Sequence, residues 1–248
     1  MSEPSNLSGP AQAQSRTSAP AARTGLAVHH RAPPVVGFEE GLARRWVART
    51  LGHLPAALPA VALVVVGSPA LAIGWYAASR IFYVLYVATV LRGVAGRGTN
   101  EDLTEREAEW QRFRRHVSWV MDNDVGAFIA LNVVTRGSID LPGPTWVAMA
   151  VGAVLGVVGL WVKGWATASL PPGAYYWRNF FIHAERAHVS LAGPYRWLSD
   201  PMYSVGYWPL YGLALFLGSG AGLVASLGAQ VLILLLAARV ERPLLDHR

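Results

Sequence analysis

The 248-residue chain contains no cysteine, which excludes disulfides, thiolate metal sites and cysteine nucleophiles. Lysine is almost as scarce: of 21 basic residues only Lys163 is not an arginine. Charge of either sign is thin, at 15% of residues, where an ordinary soluble domain carries roughly 25%. Apolar residues fill the deficit, at 53% with a mean hydropathy of +0.31, and this places the chain among bilayer proteins. The formal charge of +6 comes from arginines in short segments between apolar runs. That is the pattern of cytoplasmic loops facing anionic headgroups. No basic segment follows a nucleic-acid recognition pattern, so no nucleic-acid partner is expected.

Residues 1–38 are rich in Ser, Ala, Pro and Arg without an apolar period, and read as a disordered tail. Phe38 to Arg49 is a short amphipathic stretch suited to the membrane surface. From Leu54 to Leu91 the chain is almost continuously apolar, too long for one span of roughly 20 residues. Gly67, Ser68 and Pro69 offer a break, so a short first span and a longer second one are expected. Arg80 then falls inside the second span, where a charge should face the protein interior. Further apolar segments are Val117–Val134, Trp146–Ala168, Tyr203–Leu217 and Leu223–Val240. Six arginines precede residue 50 and six more lie between Arg92 and Arg115, which puts both segments in the cytoplasm and two spans between them. Loops 169–202 and 240–248 return to the same side. The expectation is an all-α integral membrane protein of about six transmembrane helices arranged with helical hairpins. Its termini and its catalytic face are cytoplasmic, and its location is a bacterial plasma membrane. The membrane-embedded part runs over 39–248, and the sequence leaves the oligomeric state open.

Chemistry concentrates between Tyr175 and Tyr211, which hold 11 of the chain's 26 aromatic residues. Arg178, Asn179, His183, Glu185, Arg186, His188, Arg196 and Asp200 lie among them. Interface belts explain part of that enrichment. They do not explain the ordered string from Gly193 to Tyr207, Gly-Pro-Tyr-Arg-Trp-Leu-Ser-Asp-Pro-Met-Tyr-Ser-Val-Gly-Tyr. His183 and His188 have a poor spacing for a metal on a helix, and no metal is expected. Gly218 to Gly222 imitates a dinucleotide fingerprint but lies between apolar spans, so it reads as a turn.

The string resembles the signature Gly-x-Tyr/Phe-Arg-x-x-x-His/Asn-Pro-x-Tyr-x-x-Gly of the phosphatidylethanolamine and isoprenylcysteine methyltransferases. Pro201 to Tyr207 is especially similar to the fungal phosphatidylethanolamine enzymes. Gly156 and Gly159 precede Gly173 to Phe181, which is similar to the family's Gly-x-Tyr/Phe-x-x-Asp-x-Phe-Gly, and Val240-Glu241-Arg242-Pro243 stands where the family has a paired acidic motif. The resemblance covers about 145–245. Asp200 replaces the family's His or Asn, Asn179 its acidic residue, and Arg242 its second glutamate.

The resemblance implies an S-adenosylmethionine-dependent N-methyltransferase acting on the amine headgroup of a membrane phospholipid such as phosphatidylethanolamine. Asp200, Tyr203 and Glu241 are the implied catalytic residues. Gly156, Gly159, Asp200, Pro201, Met202, Tyr203, Gly206, Glu241 and Arg242 are the implied cofactor-binding set. Tyr176, Arg178, Asn179, Arg196 and Tyr207 are the implied acceptor contacts, with the lipid tails between the last spans. The chemistry is compatible: methyl transfer needs alignment and dryness, aromatic faces stabilise a sulfonium or methylated ammonium, and a carboxylate helps remove the amine's proton. Methylation of another apolar acceptor (a prenylated carboxylate or a small thiol) and a non-catalytic scaffold or transporter remain open.

Overall fold

Where the apolar run from Leu54 reaches Gly67, Ser68 and Pro69, the chain breaks. A computed structural model describes residues 54–97, 102–182 and 192–246, all within the unit Arg44–Arg248. The predicted tail, the Phe38–Arg49 stretch and the segment with His183, Glu185, Arg186 and His188 lie outside the described residues. Among the described residues there is no strand.

Helix α1, Leu54–Val66, ends at Gly67 in the left-handed region at φ +66°, a conformation glycine adopts without a Cβ penalty. Ser68 then caps α2, Pro69–Ala95, accepting from the Leu71 amide at 3.4 Å. Pro69 occupies the first turn, where its missing N–H costs nothing. Helix α3, Leu103–Val134, is capped by Asp102, whose Oδ1 accepts from the Thr104 amide at 2.9 Å. Its charged first half and apolar second half form one continuous helix. Helix α4, Thr145–Ala168, leads into an irregular aromatic segment: a 3₁₀ turn Ala174–Tyr176, the single turn α5 Arg178–Phe181, and 3₁₀ turns Gly193–Arg196 and Val205–Tyr207. Helix α6, Trp208–Leu217, ends at Gly218 with φ +62°, and Ser219 caps α7, Gly220–Leu236. The string Gly218 to Gly222 is thus a corner and the start of a helix. A π turn, Ala237–Glu241, links α7 to the terminal turn α8, Arg242–Asp246.

Among the described residues, three helical stretches are long and apolar enough to cross a bilayer: Pro69–Ala95, Thr145–Ala168 and Gly220–Leu244. They expose aliphatic side chains such as Val157 and Val224, which are 68% and 74% accessible, as lipid-facing surfaces do. Leu54–Val66 and Val205–Leu217 are apolar but shorter, each roughly 20 Å at 1.5 Å per residue. That is less than the roughly 30 Å hydrocarbon thickness. Helix α3 is long, but its apolarity begins only near Val117. Of the six segments expected from sequence, three are helices of spanning length and composition among the described residues.

Packing sets the ends apart. Helices α4 and α6 approach so closely that a Cβ on Gly212 would lie 2.5 Å from the Gly152 carbonyl and 2.7 Å from the Gly156 nitrogen, the small-residue contact typical of bilayer helices. A core of Val87, Leu91, Phe113, Val117, Phe181 and Ile233 joins α2, α3 and α7 to the aromatic segment. At the opposite end, the amides of Gly137 and Ile139 donate to the carbonyls of Leu217 and Gly218 at 2.9 and 3.1 Å.

Candidate active site

Glu241 lies in the π turn, where one side of its carboxylate is already in use. Oε1 accepts from the Tyr203 hydroxyl at 2.9 Å and from the Trp177 indole Nε1 at 2.8 Å. Oε2 has no hydrogen-bond partner among the described residues. Trp177 itself is the single non-glycine residue with positive φ among the described residues, at +55°. Such backbone strain persists only where its surroundings hold it in place, and it concentrates at functional sites. The turn before it needs Gly173 at φ +84°, where a Cβ would meet the Trp110 ring at 2.8 Å.

The motif segment packs on the same helix end. Gln230 donates to the carbonyls of Tyr203 and Ser204 at 3.1 and 3.3 Å, and itself accepts from the Tyr211 hydroxyl at 2.8 Å. The Gly206 amide donates to the Pro201 carbonyl at 2.9 Å, and Pro201 is fully buried. Arg242 forms an ion pair with Asp200 at the exposed rim. The structure therefore brings together Asp200, Pro201, Met202, Tyr203, Gly206, Glu241 and Arg242.

Beside this cluster opens a cavity of about 220 Å³ between α2, α3, α4 and the aromatic segment. Tyr83, Tyr175, Trp177, Tyr203 and Tyr207 form its aromatic wall. Burial pushes the Tyr175 hydroxyl up to about 12, further into the range where a phenol stays neutral. Arg80, Asp124 and Lys163 also line the cavity. Arg80 Nη2 is 2.5 Å from Asp124 Oδ2, both side chains being buried, and Arg80 donates to the Tyr207 hydroxyl at 3.4 Å. Arg80 thus faces the interior. The Lys163 ammonium sits 5.9 Å from the centre of the Tyr207 ring.

The remaining predicted residues lie elsewhere. Gly159 is buried against Pro209 and Trp208, and Gly156 has Gly212 against its backbone, so both serve the α4–α6 contact. Tyr176 and Arg178 belong to a second, more open cluster. There Arg178 Nη2 pairs with Glu107 Oε2 at 3.0 Å, and the Trp110 indole donates to the Tyr176 carbonyl at 3.1 Å. Glu107 is held below the usual carboxylate range, first by the hydrogen bond from Gln111 and then by Arg178. Asn179 is half-buried beside this cluster on α5, and Arg196 is exposed with its guanidinium 5.7 Å from the Trp197 ring centre. Trp177, Asp124 and Lys163 are site-lining residues to which sequence reasoning gave no site role. Trp177 had a signal, its place inside the Gly173–Phe181 motif.

A chain whose described residues form helices without a strand, with bilayer-length apolar helices, a carboxylate held by two aromatic donors and an aromatic cavity at one end, is a membrane protein built around a polar site. Comparison with known proteins adds a likeness over part of the chain: residues 147–248 match the model of the phospholipid methyltransferase family. The resemblance carried by Gly193 to Tyr207 is thereby shown for the C-terminal part of the chain. The phosphatidylethanolamine N-methyltransferase of Lachancea thermotolerans is 30% identical over 143 residues, covering 58% of this chain and 17% of the relative. That of Malassezia globosa is 32% identical over 141 residues, covering 56% and 14%. That of Candida tropicalis is 27% identical over 161 residues, covering 60% and 19%. The chain thus spans less than a fifth of these relatives' length. No solved structure matches.

Proposed function

We propose that this protein is an integral membrane S-adenosylmethionine-dependent methyltransferase that N-methylates the amine headgroup of a phospholipid such as phosphatidylethanolamine. The observation that carries the reading is the joining of Tyr203, from the family-like motif, to Glu241, 38 residues later, with Trp177 completing the contact. The domain is 39–248, with six membrane crossings and both termini cytoplasmic. The arginine distribution supports that topology, as does the antiparallel placement of the aromatic segment and the 137–139 loop at opposite ends.

The donor set fits the cofactor. Both aromatic donors use Glu241 Oε1, and Oε2 can accept from an amine or a hydroxyl of a ligand. When bound, S-adenosylmethionine supplies an activated methyl group on a sulfonium sulfur. Asp200, Pro201, Met202, Tyr203, Gly206, Glu241 and Arg242 would hold it, the Asp200–Arg242 pair lying at the rim. The aromatic wall stabilises positive charge through its ring faces and excludes water from the displacement. The headgroup ammonium must lose a proton before its nitrogen can accept a methyl group, and a carboxylate at the site is suited to take that proton.

The test is incubation of the purified full chain with methyl-labelled S-adenosylmethionine and vesicles containing phosphatidylethanolamine. Labelled mono-, di- or trimethylated lipid is expected, with Glu241→Gln and Tyr203→Phe each weakening cofactor binding by roughly tenfold or more. Label transferred to a carboxylate or thiol acceptor while ethanolamine lipids are ignored would refute the assignment.

A further inference from the structure

The cavity beside the site carries an unbalanced charge in a surrounding that punishes it. Three charged side chains line it: Arg80, Asp124 and Lys163. Arg80 and Asp124 compensate each other at 2.5 Å. The Lys163 ammonium has no hydrogen-bond or ion-pair partner among the described residues and sits over the Tyr207 ring. An unpaired ammonium in an apolar helix is expensive and marks a binding site or a pathway. The net requirement of the cavity is one negative charge. Lys163 stands five residues before the end of α4, roughly 8 Å inside it at 1.5 Å per residue, about the depth of a headgroup drawn into the bilayer.

The way into the cavity is lateral. Val125 of α3 and Leu160 of α4 both line it, yet they are 52% and 63% exposed on the lipid-facing surface. Helices α3 and α4 make little direct contact along their length, in contrast to the tight α4–α6 and α2–α3 pairs. A gap between two apolar helices, leading to a lone cation and then to an aromatic wall, complements an amphiphile with an anionic centre and a cationic tip.

We infer that the opening between α3 and α4 is the portal for a glycerophospholipid whose phosphodiester is bound by Lys163. This rests on the lipid-acceptor reading above and deepens it. The acyl chains remain in the bilayer against Val125 and Leu160, and the phosphate rests on Lys163. The amine points to Tyr175, Trp177 and Tyr203, beside Glu241. The portal therefore lies away from the last spans, and the arginines Arg178 and Arg196 are not required for the phosphate. The same anion site could take the carboxylate of the cofactor instead, and the experiment separates the two.

The full chain is reconstituted in phosphatidylcholine vesicles containing phosphatidylethanolamine with a photoactivatable acyl chain, and cross-linked residues are mapped by mass spectrometry. Label is expected on α3 and α4 around Val125 and Leu160. Lys163→Ala should lower lipid labelling roughly ten- to hundredfold, the loss of one charge-assisted hydrogen bond, with Lys163→Arg restoring most of it. Diacylglycerol with the same chains should be insensitive to Lys163, and S-adenosylmethionine affinity should not change. Label confined to α6 and α7 would overturn the portal. Lys163→Ala that weakens the cofactor and spares the lipid would overturn the phosphate site and give the anion to the cofactor. Lipid placed as expected without any methyl transfer would support the site and refute the enzymatic reading instead.

Discussion

Arg80 and Asp124 allow the sharpest energetic test. Their side chains are 7% and 4% accessible, with Nη2 and Oδ2 2.5 Å apart, while Arg80 Nε and Asp124 Oδ1 have no hydrogen-bond partner among the described residues. With charge centres at ~4 Å and an effective dielectric of ~20, their attraction is roughly 4 kcal/mol. Removing one partner leaves the other charged and buried, which costs about 3–5 kcal/mol. Arg80→Met and Asp124→Leu should each lose stability on that scale. The double variant removes both charges together and should be near neutral, or stabilised by about 1–4 kcal/mol. The assay is unfolding of the four proteins by SDS titration in mixed micelles, followed by tryptophan fluorescence, and analysed as a double-mutant cycle. A double variant destabilised by the sum of the singles would refute the pairing.

Three further outcomes follow from other contacts. Gly212→Ala puts a methyl group against α4 backbone, and overpacking of about 1–3 kcal/mol should lower thermal stability, where Gly74→Ala, with open space around it, should not. Glu107→Gln should cost at most about 1 kcal/mol, since its pair with Arg178 is solvent-accessible. Because the carboxylate is held below its ordinary value of 4.5, that difference should be constant between about pH 5 and pH 8 and vanish as acid protonates Glu107 in both folded and unfolded chains. A difference that grew in acid would contradict the sign. Single cysteines introduced into this cysteine-free chain at residues 105 and 141 should react with an impermeant reagent from opposite faces of sealed vesicles. Reaction of both from one face would sink the six-crossing topology.

What the sequence made legible was local. Gly67, Ser68 and Pro69 marked a helix break because a left-handed glycine, a capping hydroxyl and a proline act through their own backbone. Arg80 was legible as interior because hydrocarbon does not tolerate an unpaired guanidinium. Its partner was not, since period and burial say that a residue turns inward but not what it meets. The same limit hid Trp177, 64 positions before Glu241, and the Glu107 partner of Arg178, 71 positions away. Gly156 and Gly159 have a cofactor role only through the resemblance, while spacing alone favours close packing between spans. The approach of α4 and α6, a tertiary property, shows what they touch.

Tyr203 is fastened twice to one helical rod, its carbonyl to Gln230 and its hydroxyl to Glu241. The Asp200–Arg242 pair adds a third tie between the motif segment and the end of that rod. The motif and the C-terminal helix consequently move as a single stiff lever. Compliance is left to the side where α3 and α4 lack comparable ties. In amide hydrogen exchange, 203–207 and 228–241 should open together and slowly. Whatever admits and releases a bulky ligand must bend the α3–α4 side, because the other wall is bolted.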